Sequence, residues 1–171
     1  MGFAGGINNG VCMKKVASFE VDHEQLTPGV YVSRKDRIGE QVITTFDVRL
    51  TAPYRQETLP AAVLHTLEHL GAVYLREKSA WALRVLYWGP MGCQTGFDLL
   101  VAGDFGAKEA VPVLRETFSF IAGFTGEIPG AAQARQCGNY RLHDLAGAKQ
   151  AAQKFLDVLA AWTPDQSVYP H

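Results

Sequence analysis

The run ETLPAAVLHTLEHLGAVYLREK, residues 57–78, constrains the fold more than any other stretch. Val63, Leu64, Leu67, Leu70 and Tyr74 recur at helical spacing, and Pro60 suits a first helical turn with Thr58 or Leu59 at the cap. A helix with one apolar stripe must bury that stripe against another layer. The same helix sets His65 and His69 one turn apart on one face with Glu68 beside them, while Leu67 and Leu70 point to the core. That face is either ordinary polar surface or one side of a metal site. The order His-x-x-Glu-His favours the metal, because a helix presents two such rings in parallel. It is also the inverted zincin arrangement, in which the glutamate acts as a general base.

The rest of the chain supplies the layer. GEQVITTFDVRLTAP alternates, with Val42, Thr44, Phe46, Val48 and Leu50 on one side and Ile43, Thr45, Asp47 and Arg49 on the other. That pattern predicts a half-buried strand ended by Pro53. WALRVLYW and GFDLLVAGDF read as two strands around the tight segment GPMGCQT. AKEAVPVLRETFSFIAGF predicts a helix with Pro112 in its first turns, and HDLAGAKQAAQKFLDVLAAW another with Asp144 as N-cap. His143 and Asp144 both read as capping residues, and Trp81, Trp88 and Trp162 as core or interface. Short strands mixed with three helices, without strict alternation, predict a single α+β domain: a mainly antiparallel sheet with helices on one face, in two layers.

Composition narrows the function classes. A net charge of −1 gives no electrostatic footprint for nucleic acid or an anionic membrane. No apolar run approaches the roughly 18 residues that span a bilayer. MGFAGGINNGVCMKK lacks the apolar centre of a signal peptide, so the expected location is the cytoplasm. Three cysteines, Cys12, Cys93 and Cys137, point to thiol chemistry or metal binding rather than a disulfide framework.

Two histidines need a third ligand and, for catalysis, an open position. Cys93 in GPMGCQTG and Cys137 in ARQCGNYRLHD each sit in a glycine-containing turn. A ligating thiolate is held deprotonated, and an unbound one beside a metal is poised to shuttle protons. Spacing leaves open which cysteine does which. A metallopeptidase of the inverted motif would want a carboxylate as third ligand, and a closed structural site would want both cysteines.

Five blocks fall in an order that resembles the S-ribosylhomocysteine lyase family, LuxS: SFEVDH (18–23), FDVRL (46–50), HTLEHL (65–70), GPMGCQTG (89–96) and QCGNYRLHDLAGAK (136–149). The resemblance implies His65, His69 and Cys137 as metal ligands, Cys93 as catalytic acid/base with Glu68 as its partner, and Ser18, His23 and Arg49 in the substrate pocket. It implies one divalent ion per subunit, Fe(II) with zinc or cobalt able to replace it, and a homodimer with active sites at the interface. The implied reaction splits S-ribosylhomocysteine into homocysteine and dihydroxypentanedione, the autoinducer-2 precursor, by two aldose–ketose shifts and a β-elimination. It further implies that the lyase domain spans 13–171, starting at Met13, with 1–12 a disordered extension. Two positions depart from the resemblance: an acidic residue is expected near Tyr87 and a serine at Gly89, both at the homocysteine end of the pocket.

Overall fold

The computed structural model describes residues 21–170, so Ser18 and the segment before Met13 lie outside the described residues. In chain order the elements are β1 (Gly29–Ile38), β2 (Gln41–Arg49), α1 (Ala61–Glu77), β3 (Val85–Pro90), β4 (Gly96–Ala102), α2 (Ala107–Gly123) and α3 (Leu145–Ala161). A short 3-10 helix, Pro164–Ser167, follows. The strands form one antiparallel sheet in the order β1-β2-β4-β3. This is the expected small α+β domain.

β2 is an inner strand, and this overturns the half-buried expectation. From Thr44 to Arg49 every residue is buried. Phe46 and Val48 face the helices, as the alternation predicts. The opposite face is closed by the chain end, where Tyr169 stacks on Tyr31 with ring centroids 4.9 Å apart and donates to Asp47 at 3.0 Å. β1 carries no clear signal because Arg34 to Arg37 in its outer half are polar and exposed. β3 starts only at Val85; Trp81 belongs to the turn before it, yet is buried.

The helices begin for local reasons. α1 starts at Ala61 with Pro60 itself in the cap position, at φ −58° and ψ 145°, rather than Thr58 or Leu59. α2 starts at Ala107 with Pro112 in its second turn, as expected. α3 starts as predicted: the Asp144 carboxylate accepts the Gly147 amide at 2.8 Å. Between sheet and helices lies one core containing Phe46, Leu67, Trp88, Phe97, Phe118 and Phe155. Trp88 stacks on Phe97 at 4.4 Å and donates its indole N–H to the Leu67 carbonyl at 3.2 Å. A Cβ on Gly71 would collide with that indole, so this mid-helix glycine is what lets α1 close on the sheet.

Candidate active site

α1 carries His65, Glu68 and His69 on the face that turns away from the core, towards the irregular connection between α2 and α3. That connection supplies the rest. Its Leu142 carbonyl accepts from His65 Nδ1 at 2.8 Å, and its Pro129 carbonyl accepts from His69 Nδ1 at 2.7 Å. A carbonyl cannot donate, so both rings carry their proton on Nδ1 and present a bare Nε2. Gly130, at φ +76°, lies so close to the His69 ring that a Cβ there would meet it at 3.2 Å. Cys137 brings its Sγ to 3.3 Å from His65 Nε2.

The structure adds a residue that the sequence reading treats only as a cap. One atom each of His65, His69, Cys137 and His143 lie within 4.8 Å of one another. Thr66 explains why His143 is here. Its hydroxyl donates to the Ala62 carbonyl at 2.8 Å, so its oxygen accepts from the Asp144 amide at 2.9 Å and from His143 Nδ1 at 3.2 Å. His143 Nε2 is therefore the unprotonated nitrogen, and it is buried with no partner among the described residues. Burial, followed by the His65 and His69 imidazoles, pushes the His143 ring down to about 4, which keeps it neutral near pH 7. Only its place next to the cap hinted at it, and a cap reading absorbs that signal.

Ring geometry separates the four donors. The His65 and His69 planes are nearly perpendicular, at 89° with centroids 4.6 Å apart, so their in-plane lone pairs can meet at one point. His143 instead stacks on His65 at 4.1 Å and 17°. Lone pairs lie in ring planes, and two nearly parallel planes do not meet close to the rings. His143 is also edge-on to His69, at 73°, so either His65 or His143 could share an ion with His69, but not both. The Cys137 sulfur, 3.3 Å from His65 Nε2, favours His65, and His65, His69 and Cys137 together offer two imidazole nitrogens and one thiolate with room for a further ligand. Among the described residues no carboxylate belongs to the group, and neither does Cys93. This disfavours both the metallopeptidase arrangement and the closed site with two cysteines.

One cleft opens on the cluster, and a second shares the Met91–Gly92 turn with it. The first, about 390 Å³, is lined by His65, Glu68, Asn139, Leu142 and the Met91–Gly92 turn. The second, about 360 Å³, lies on the other side of that turn and holds Cys93, Arg49, His23, Asp47, Asp98 and Tyr169. Glu68 and Cys93 thus stand in neighbouring clefts rather than in one. Cys93 Sγ lies 3.1 Å from the Thr95 hydroxyl and 3.5 Å from Arg49 Nη1. Burial pushes the thiol up, but the Thr95 hydroxyl and amide and the Arg49 guanidinium outweigh it, and the net shift is downward. Arg49 is itself buried, in a bidentate pair with Asp47. His23 donates from Nδ1 to the Val21 carbonyl at 2.9 Å, which leaves its Nε2 bare.

The chain is similar to known proteins over most of its length. The family model described as S-ribosylhomocysteinase (LuxS) matches residues 16–166. The S-ribosylhomocysteine lyase of Phocaeicola vulgatus is 49% identical over 159 residues, covering 92% of this chain and 98% of that protein. Those of Desulfotalea psychrophila and Clostridium acetobutylicum are each 50% identical, over 159 and 158 residues, covering 92% of this chain and 99% of each relative.

Proposed function

The chain belongs to the S-ribosylhomocysteine lyase family, and from that premise we propose that it cleaves S-ribosylhomocysteine to homocysteine and dihydroxypentanedione. The observation that carries the reading is the convergence of His65 Nε2, His69 Nε2 and Cys137 Sγ, with both histidine tautomers set by backbone carbonyls. These three would hold one divalent ion, Fe(II), and the same donors also suit zinc or cobalt. The ion supplies Lewis acidity, which makes a C–H next to a carbonyl acidic.

The protein's own groups move the protons. The substrate aldehyde becomes a ketone, the ketone shifts one carbon along the sugar, and the thioether then leaves by β-elimination. Each step removes a proton from one carbon, and each ketone shift returns one to the carbon next to it, so the chemistry needs a base on each side of the reacting chain. Cys93, whose thiolate is favoured by Thr95 and Arg49 relative to an ordinary thiol, serves as one of them. Glu68, on the edge of the metal cluster, serves as the other. His23 and Arg49, which line the Cys93 cleft, serve as substrate-binding residues. Ser18, outside the described residues, is assigned the same role from the resemblance alone.

A homodimer with active sites at the interface belongs to the same reading. Its support is that the two bases of one copy occupy separate clefts, both open to the surface, on either side of Met91–Gly92. The test is thiol release. Protein purified without oxygen and loaded with Fe(II) or Co(II) should free homocysteine from S-ribosylhomocysteine, and the Cys93→Ala variant should not. A folded, metal-loaded wild type that frees no thiol would sink the proposal.

A further inference from the structure

Across the sheet, Tyr31, Asp47, Asp98 and Gly89 stand opposite one another in a single row. Two carboxylates are therefore cross-strand neighbours, an arrangement that repels unless each has a partner. Asp47 has its partners: it takes two hydrogen bonds from Arg49 and one from Tyr169. Asp98 has none among the described residues, neither a hydrogen bond nor an ion pair, although it is partly buried and lines the Cys93 cleft. The Arg49 guanidinium is spent on Asp47, Thr95 and Cys93. Arg34 pairs with the exposed Asp36. Burial, then Asp47, raises the Asp98 carboxyl above its ordinary range. A carboxylate in this position is stabilised by a cation brought in from outside.

A hydroxyl stands beside it. Gly89 pairs with Asp98, and a Cβ on Gly89 would run into the Tyr87 phenol oxygen, so the Tyr87 hydroxyl occupies the place of a residue-89 side chain. The resemblance leads one to expect a carboxylate at 87 and a hydroxyl at 89. In this chain the carboxylate stands on the neighbouring strand, and the hydroxyl is delivered from residue 87. The substrate of the proposed reaction, on which this inference rests, carries one cationic group, the α-ammonium of its amino-acid end. We propose that Asp98 binds that α-ammonium, with the Tyr87 hydroxyl closing the subsite over Gly89.

The test separates this assignment from the reaction itself. On metal-loaded protein, Asp98→Asn should raise KM for S-ribosylhomocysteine roughly 10- to 100-fold, the scale of one charge-assisted hydrogen bond, while kcat falls less than about threefold. The analogue lacking the α-amino group should show the same KM with wild type and variant. Calorimetric binding of intact substrate to Cys93→Ala, with and without Asp98→Asn, should show the same loss without any turnover, so it reads the subsite even where thiol release fails. Because Asn removes an unpartnered carboxylate, the substrate-free variant should melt no lower than wild type; Asp98→Ser serves as a second variant. An unchanged KM would overturn the assignment. So would an equal rise for substrate and analogue, which would mean that Asp98 only shapes the cleft.

Discussion

Cys93 illustrates how a single side chain is tuned by two neighbours of different kinds. The Thr95 hydroxyl and the Arg49 guanidinium both favour the thiolate, against the cost of burial. Thr95→Val removes the hydroxyl and keeps the shape, so the thiolate should form at higher pH. The pH profile of Cys93 alkylation should shift alkaline relative to wild type, and an unmoved profile would contradict this account. Arg49 has a second task, since Asp47 depends on it. With side chains 5% and 4% exposed, the pair is buried, and Arg49→Ala would leave a buried carboxylate without its counter-charge at a cost of about 3–5 kcal/mol. The double variant Asp47→Asn/Arg49→Met should regain much of that in chemical denaturation. Motif spacing and resemblance single out His65, His69, Cys137, Cys93 and Glu68, and of these the structure gathers His65, His69 and Cys137 in one cluster. His143 and Asp98 were not. One reads as part of a helix cap, and the other is a single carboxylate inside the apolar run GFDLLVAGDF; only pairing across the structure shows what each faces.

The helices announced themselves and the sheet did so only in part. α1 and α3 are amphipathic with clear starts, so their existence follows from period and cap chemistry. β2 alternates correctly, but alternation cannot tell whether water or another segment covers the second face. Here the covering segment, around Tyr169, lies 122 residues away in sequence. β1 is hidden by its polar outer half, whose partners are backbone groups of β2 rather than apolar contacts. At this scale Gly71 gives a sharp prediction. Alanine at a helix-interior glycine ordinarily gains up to about 1 kcal/mol. In α1 the added methyl meets the Trp88 indole, and overpacking of this kind costs about 1–3 kcal/mol. Gly71→Ala should therefore lower the melting temperature and alter Trp88 fluorescence, the reverse of what helix propensity alone predicts.

In the whole molecule, the ligand set joins a helix to a long connection. His65 and His69 sit on α1, while Cys137 and the carbonyls of Pro129 and Leu142 come from the chain between α2 and α3. Ion binding to the folded state alone stabilises it by mass action, about 4 kcal/mol at a thousandfold excess over Kd. Calorimetry should show Co(II) raising the melting temperature and a chelator reversing the rise. His65→Ala should abolish the response, and His143→Asn should keep it, because His143 stacks on His65 and cannot share an ion with it, while the Cys137 sulfur sits against His65. Loss of the response in His143→Asn would make His143 a ligand after all.

The connection from Phe124 to Asp144 contains neither helix nor strand, and it leaves Arg135 and Arg141 exposed on either side of Cys137. Its grip on α1 runs through the two histidine–carbonyl bonds, Thr66 and the Cys137 sulfur. An ion shared between helix and connection acts as a rivet through both, and trypsin becomes a gauge of whether the rivet is in place. Digestion should be slow in the loaded protein. After chelation it should clip at Arg135 and Arg141 well before the helices are attacked, and substitution of Cys137 by serine should make the clip rate indifferent to metal.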